Sequence, residues 1–157
     1  MINELASFLE STTVAAAIRQ SVPLTGLLSG LHLVGMTLIG SGAVVAGLRT
    51  TGIALKDFPL SDVTRITRRG IAIGVTISIV SCLLLFSPRA STAIVSGYFQ
   101  VKMLLLAAAL AFHFFNLRPI VGRRDGTTLV VRLCGAIGTA LWFAVILAGC
   151  SYILLEG

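Results

Sequence analysis

The stretch Tyr98–Asn116, YFQVKMLLLAAALAFHFFN, decides how the rest of the chain is read. It is apolar over about the length that carries a helix across a bilayer, yet it contains Lys102, His113 and Asn116. At about 100° per residue these three fall in a narrow sector of one helix face. Ionisable groups at hydrocarbon depth are expensive and turn toward a bundle interior, a partner or a wet cavity. A second imidazole, His32, stands inside another long apolar segment. The expectation is that these groups line one functional site between helices.

The rest of the chain supplies those helices. Of its 157 residues 56% are hydrophobic and only 11% charged, with a mean hydropathy of +0.99. A soluble protein of that balance would lack a polar surface, so the chain reads as a single integral membrane domain. The net charge of +6 does not point to nucleic acid. The cations cluster in short connections between apolar segments, where they set topology and meet lipid head groups. Cys82, Cys134 and Cys150 all lie in apolar segments, without a CxxC, and read as small helix-contact residues. A bridge between Cys82 and Cys150 stays open.

The fold expected is all-α: a four-helix membrane bundle with an N-terminal amphipathic interfacial helix over residues 2–20. The spans fall at about 23–48, 63–86, 97–117 and 128–155. The first twenty residues do not read as a signal peptide, since Glu4 and Glu10 interrupt the apolar run and no basic segment precedes it. Pro23 suits the opening of the first span, and Asp62 suits the cap of the second. Gly26 and Gly30 form a GxxxG, and Gly70, Gly74, Ser78 and Cys82 recur every four residues. Both are patterns on which helices approach closely in lipid. The first-to-second connection and its flanks hold five Lys and Arg, the third-to-fourth four, and the remaining segments three. That asymmetry places both termini on the periplasmic side of a bacterial inner membrane.

Each polar residue inside a span has two readings. Lys102 either snorkels to the surface or offers a cation to a propionate or quinone oxygen. His113 either bonds to a neighbouring helix, ligates a haem or metal, or carries a proton. His32 lies too deep to snorkel, and Thr25, Ser29, Gly35, Met36 and Ile39 share its face. At 1.5 Å per residue, His32 sits about 13 Å below Pro23 and His113 about 22 Å below Tyr98. A mismatch near 9 Å on that count opposes two imidazoles sharing one haem, whereas one histidine with another ligand, such as Met36, stays open. No carboxylate lies inside any expected span, and no phosphate loop, Ser-His-Asp order or HExxH occurs.

The third span, FQVKMLLLAAALAFHFF, resembles the corresponding helix of the HemJ-type protoporphyrinogen oxidases, which pair a Lys near the helix start with a His about eleven residues on and bind haem b. The first, LHLVGMTLIGSGAVVAGLR, is similar to their opening helix and to the membrane domain of the copper-resistance D family. The fuller resemblance is to an uncharacterised family of small four-helix bacterial inner-membrane proteins. It has an LHxxG first helix, a second-helix end like CLLLF and a fourth helix like LWFAVILAG. Residue by residue, these resemblances imply roles for His32, Lys102 and His113.

The leading expectation is a haem-b-binding electron-transfer protein or redox-complex subunit that links an outer-face partner to quinone. His32 and His113 are its candidate metal ligands, and Lys102, Met36 and Asn116 its further cofactor contacts. Copper handling through His32 and Met36 is the alternative. A structural subunit of a larger complex or homo-oligomer is another, and an oxidase role ranks after these. Whether the chain is itself an enzyme, an oxidoreductase subunit or neither is left open.

Overall fold

The computed structural model describes residues 2–113, 115 and 128–156, with side chains described for 4–113, 115 and 128–151. The described residues form helices and connections, with no strand among them. In chain order they are α1 (Ile2–Glu10), α2 (Thr13–Gln20), α3 (Val22–Thr51), α4 (Leu60–Phe86), a 3₁₀ turn (Ser87–Arg89), α5 (Ala90–Val95), α6 (Gly97–Phe112) and α7 (Leu129–Glu156). Three stretches are long and apolar enough to cross a membrane: α3, α4 continued through α5, and α7. That is the pattern of a multi-pass membrane protein. The shorter α6 is also apolar. Asn116 and the basic turn around Arg123 and Arg124 lie outside the described residues.

The helix ends follow local chemistry. Ser21 caps α3, its side chain accepting the Leu24 N–H at 3.4 Å, with Pro23 in the first turn. At the other end Gly52 takes a φ of +74°, the left-handed stop that glycine adopts without Cβ strain. Asp62 does not cap α4. That helix already begins at Leu60, and Asp62 lies in its first turn, exposed and 3.5 Å from Arg65. The N-terminal segment is two helices rather than one. Thr12 accepts the Ala15 N–H at 3.3 Å and starts a new helix, so the chain turns at Ser11–Thr12. Ala6, Ala15 and Ile18 are buried, while Leu5, Phe8 and Val14 are exposed.

The buried positions of α3 are Leu28, His32, Gly35, Ile39, Ala43, Gly47 and Thr50. Those of α4 are Leu60, Val63, Thr67, Ile71, Gly74, Ser78 and Ser81. In α7 they are Val131, Gly135, Gly138, Trp142, Val145 and Gly149. Steps of three and four give the 3.5-residue repeat of helices that pack side by side along their length. α3 lies between α4 and α7, and α6 packs on the other side of α7. Ile39, Ala43, Ile71, Ala109, Trp142 and Val145 form the apolar core, to which α3, α4, α6 and α7 all contribute.

Small residues set the closest approaches. At the α3–α4 crossing a Cβ on Gly74 would lie 2.7 Å from the Gly35 carbonyl oxygen, and one on Gly35 would run into Ser78 Oγ. The expected four-residue stripe thus seats α3 through Gly74 and Ser78, while Gly70 faces open space. Among the described residues the Gly26/Gly30 pair seats nothing: none of their atoms lies within 4 Å of a Cβ built at either. Farther along, Thr139 Oγ1 packs on Gly47 and shares its hydrogen between the Gly135 carbonyl of its own helix at 2.9 Å and the Ala43 carbonyl of α3 at 3.2 Å. All three cysteines are free thiols.

Candidate functional site

His32 occupies one of the inward positions of α3 and is buried. Its Nδ1 lies 3.2 Å from the Ser78 carbonyl oxygen and 3.0 Å from Ser81 Oγ, both on α4. The Ser81 hydroxyl donates its own hydrogen to the Ile77 carbonyl at 2.7 Å. Its oxygen therefore accepts at His32, and a carbonyl only accepts. Two acceptors facing Nδ1 fix the proton there and leave Nε2 with its lone pair. That is the arrangement in which a metal-ligating histidine is held, one ring nitrogen bonded to the protein and the other available.

Lys102 occupies the same kind of position on α6. It is buried, in register with Ala109, so its side chain does not snorkel out. Its Nζ and the Met36 Cε lie 3.7 and 3.8 Å from one point, the place a Cβ on Gly149 would fill. Three helices thus converge there: α3 with Met36, α6 with Lys102, and α7, whose glycine makes room. Met36 is one turn from His32, and the Lys102 ammonium is near enough to act electrostatically on the imidazole. Among the described residues Lys102 has no hydrogen bond or ion-pair partner. A buried ammonium without a counter-charge is costly, and its surroundings favour an anionic or electron-rich guest.

His113 follows Phe112 at the end of α6, where its backbone N–H donates to the carbonyls of Ala109 and Leu110. Its ring is half-buried and meets Trp142 edge-on, with centroids 6.4 Å apart at 69°. Trp142 lies in the apolar core, at the level of α3 where Thr139 reaches Ala43. His32 stands roughly 15 Å away along the bundle axis at 1.5 Å per residue. Each ring is held by its own neighbours, His32 against α4 and His113 against α7. The structure brings His32, Met36 and Lys102 together and leaves His113 at a separate level. Asn116 lies outside the described residues.

Sequence reasoning missed Gly149, Ser78 and Ser81 as parts of this site. Gly149 had a signal, since it stands seven residues from Trp142 on the buried stripe of α7. Ser78 had its place on the four-residue stripe of α4, whereas Ser81 had no signal, and the atoms both present to His32 depend on how α3 and α4 cross. Among the described residues no three His, Cys, Asp or Glu side chains cluster as a metal site.

Over residues 14–154 the chain matches the family of unknown function DUF6644, and it belongs to that family. No curated protein and no solved structure matches it.

Proposed function

We propose that this protein binds haem b in a bacterial inner membrane, where His32 Nε2 would hold the group, and passes electrons between an outer-face partner and quinone. The observation that carries the reading is the double anchoring of His32 Nδ1 by Ser78 and Ser81, which presents Nε2 as a lone-pair donor. When bound, haem supplies one-electron chemistry. The chain's own contributions are distinct from that. Ser78 and Ser81 fix the tautomer and orientation of His32, and the buried Lys102 supplies a cation for a propionate or a quinone oxygen. The apolar core beneath keeps water from the inner half. Met36, four residues from His32 on the same helix face, would line the site beside it. His113, beside Trp142, belongs to a second level.

In this reading the apolar α6 belongs to the span expected over 97–117, the fourth crossing. Both termini lie on the periplasmic side, and α1 and α2 rest on that surface. The exposed Arg65, Arg68 and Arg69 then face the cytoplasm. Copper handling through His32 and Met36 is less favoured by the site, because the Lys102 ammonium beside Met36 repels a metal cation.

The test is the absorption spectrum of detergent-purified protein expressed with ample haem. Wild type should show a Soret band that shifts on reduction, and His32→Ala should lose it while His113→Ala keeps it. Absence of the band from wild type, or its persistence in His32→Ala, defeats the assignment.

A further inference from the structure

At the end of the bundle where α1 and α2 fold over the α4–α5 turn, the surface holds a cleft of about 760 Å³ that the haem reading does not use. Its lining includes Glu10, Arg19, Arg89, Ser91, Thr92 and Val95. The polar groups are unevenly committed. One carboxylate oxygen of Glu10, Oε1, accepts both the Ser91 N–H at 2.8 Å and the Ser91 hydroxyl at 2.6 Å. The other makes no hydrogen bond among the described residues. Arg19 reaches only two backbone carbonyls through Nη2, those of Glu10 and Pro88, each at 3.4 Å. Arg89 is exposed, and among the described residues its guanidinium bonds to nothing. Two guanidiniums and one carboxylate leave a surplus of one positive charge, with the arginine forks still open to planar bidentate recognition.

The cleft borders apolar surface rather than open polar ground. Val95 is 74% exposed, and Leu5 and Phe8 on the neighbouring α1 are 59% and 67% exposed. A soluble anion has no use for such a border, whereas an amphiphile with a phosphate at the polar–apolar boundary fits both halves. From these placements we infer that the cleft is a binding site for an anionic glycerophospholipid. Its phosphodiester lies between Arg89 and Arg19, its head-group hydroxyls donate to the free Glu10 oxygen, and its acyl chains run over Val95 and α1. The matching charge is −1, and the matching head group carries hydrogen-bond donors. Phosphatidylglycerol meets both conditions. Phosphatidylcholine, zwitterionic and without a donor, meets neither. The inference stands apart from the haem proposal, since none of these side chains touches His32 or Lys102.

The experiment uses the full chain in detergent. Native mass spectrometry follows phosphatidylglycerol and phosphatidylcholine binding, with inorganic phosphate as competitor. Wild type should bind phosphatidylglycerol about tenfold more tightly, the scale of one charge-assisted contact. Arg89→Gln, an exposed position that leaves the fold intact, should remove that preference. Arg68→Gln, an exposed arginine distant in the fold, should retain it. Equal binding of the two lipids, or equal loss in Arg68→Gln, overturns the site. Release of phosphatidylglycerol by millimolar inorganic phosphate overturns the lipid assignment in favour of a soluble phosphate ester.

Discussion

Replacing Gly35 by alanine asks whether α3 and α4 cross where the structure places them. A Cβ there would overlap Ser78 Oγ and would lie 2.9 Å from the Gly74 carbonyl oxygen and 3.0 Å from the Ser78 amide nitrogen. A serine hydroxyl can rotate away, but two backbone atoms can retreat only if the helices separate. Overpacking of that kind costs about 1–3 kcal/mol, against which alanine's helix propensity returns up to about 1 kcal/mol over glycine. The two backbone contacts put this position toward the upper end, for a net loss near 2 kcal/mol. Gly26→Ala and Gly30→Ala meet no atom within 4 Å, so they keep only the propensity gain. Thermal unfolding of the purified protein, followed by helical circular dichroism, should rank Gly35→Ala well below wild type and the other two at or above it. Adding Ser78→Gly to Gly35→Ala should recover only part of the loss, because the backbone contacts remain. If Gly26→Ala destabilises as much as Gly35→Ala, the outer GxxxG is the true contact and the α3–α4 register described here is wrong.

The polar site yields sharper contrasts. Lys102→Met removes a buried ammonium that has no partner among the described residues. The ligand-free protein should therefore gain thermal stability while losing haem retention; a ligand-free protein that becomes less stable would show that the ammonium is already paired. Ser81→Ala leaves the Ser78 carbonyl as the one acceptor for His32 Nδ1, so it should cost about 1 kcal/mol and weaken the Soret band without abolishing it. Glu10 responds to acid. The Ser91 hydroxyl and amide hold its carboxyl below the usual range, against an opposing effect of burial and with lesser help from the Arg19 charge. A depressed value means the contact is fully present above the ordinary carboxylate range and is lost as pH falls through the lowered one. Hydrogen exchange in α1 should therefore accelerate in strongly acidic buffer, and Glu10→Gln should exchange rapidly at every pH.

Hydropathy made the long helices legible. The expected spans 23–48, 63–86 and 128–155 lie within a few residues of Val22–Thr51, Leu60–Phe86 and Leu129–Glu156. Charge and capping at short range were less so. Thr12 breaks what apolar spacing alone continues, and Leu60 starts α4 before the aspartate that looked like its cap. The placement of His32 and Lys102 on inward stripes followed from 3.6-residue periodicity and the expense of polar groups in lipid. Which small residues touch could not follow from spacing. Gly26/Gly30 and Gly35 are equally small, and only the crossing of α3 with α4 distinguishes them. The Ser78 and Ser81 contacts to His32 span 46 and 49 positions, and the Glu10–Ser91 contact spans 81. Pairings at that range are set by tertiary packing and carry no local pattern.

The bundle divides along its axis into a level that holds it together and a level that does not need to. Around Ile39, Ala43, Ile71, Ala109, Trp142 and Val145 the helices α3, α4, α6 and α7 all contribute apolar side chains, and Thr139 adds a contact between α7 and α3. One to two turns away, the same inward stripes carry His32 on α3, Lys102 on α6 and Gly149 on α7. Leucine or isoleucine at positions 32 and 102 would continue the core at no desolvation cost. Polar groups that only glue helices would be bonded to one another, as Thr139 is to Ala43. His32 meets that description through Nδ1 alone, and Lys102 does not meet it at all. A lysine buried beside a glycine, with no ion-pair partner among the described residues, is costly to hold in a bundle that needs only to cohere. The glue reading explains half of one residue, whereas a guest molecule explains both.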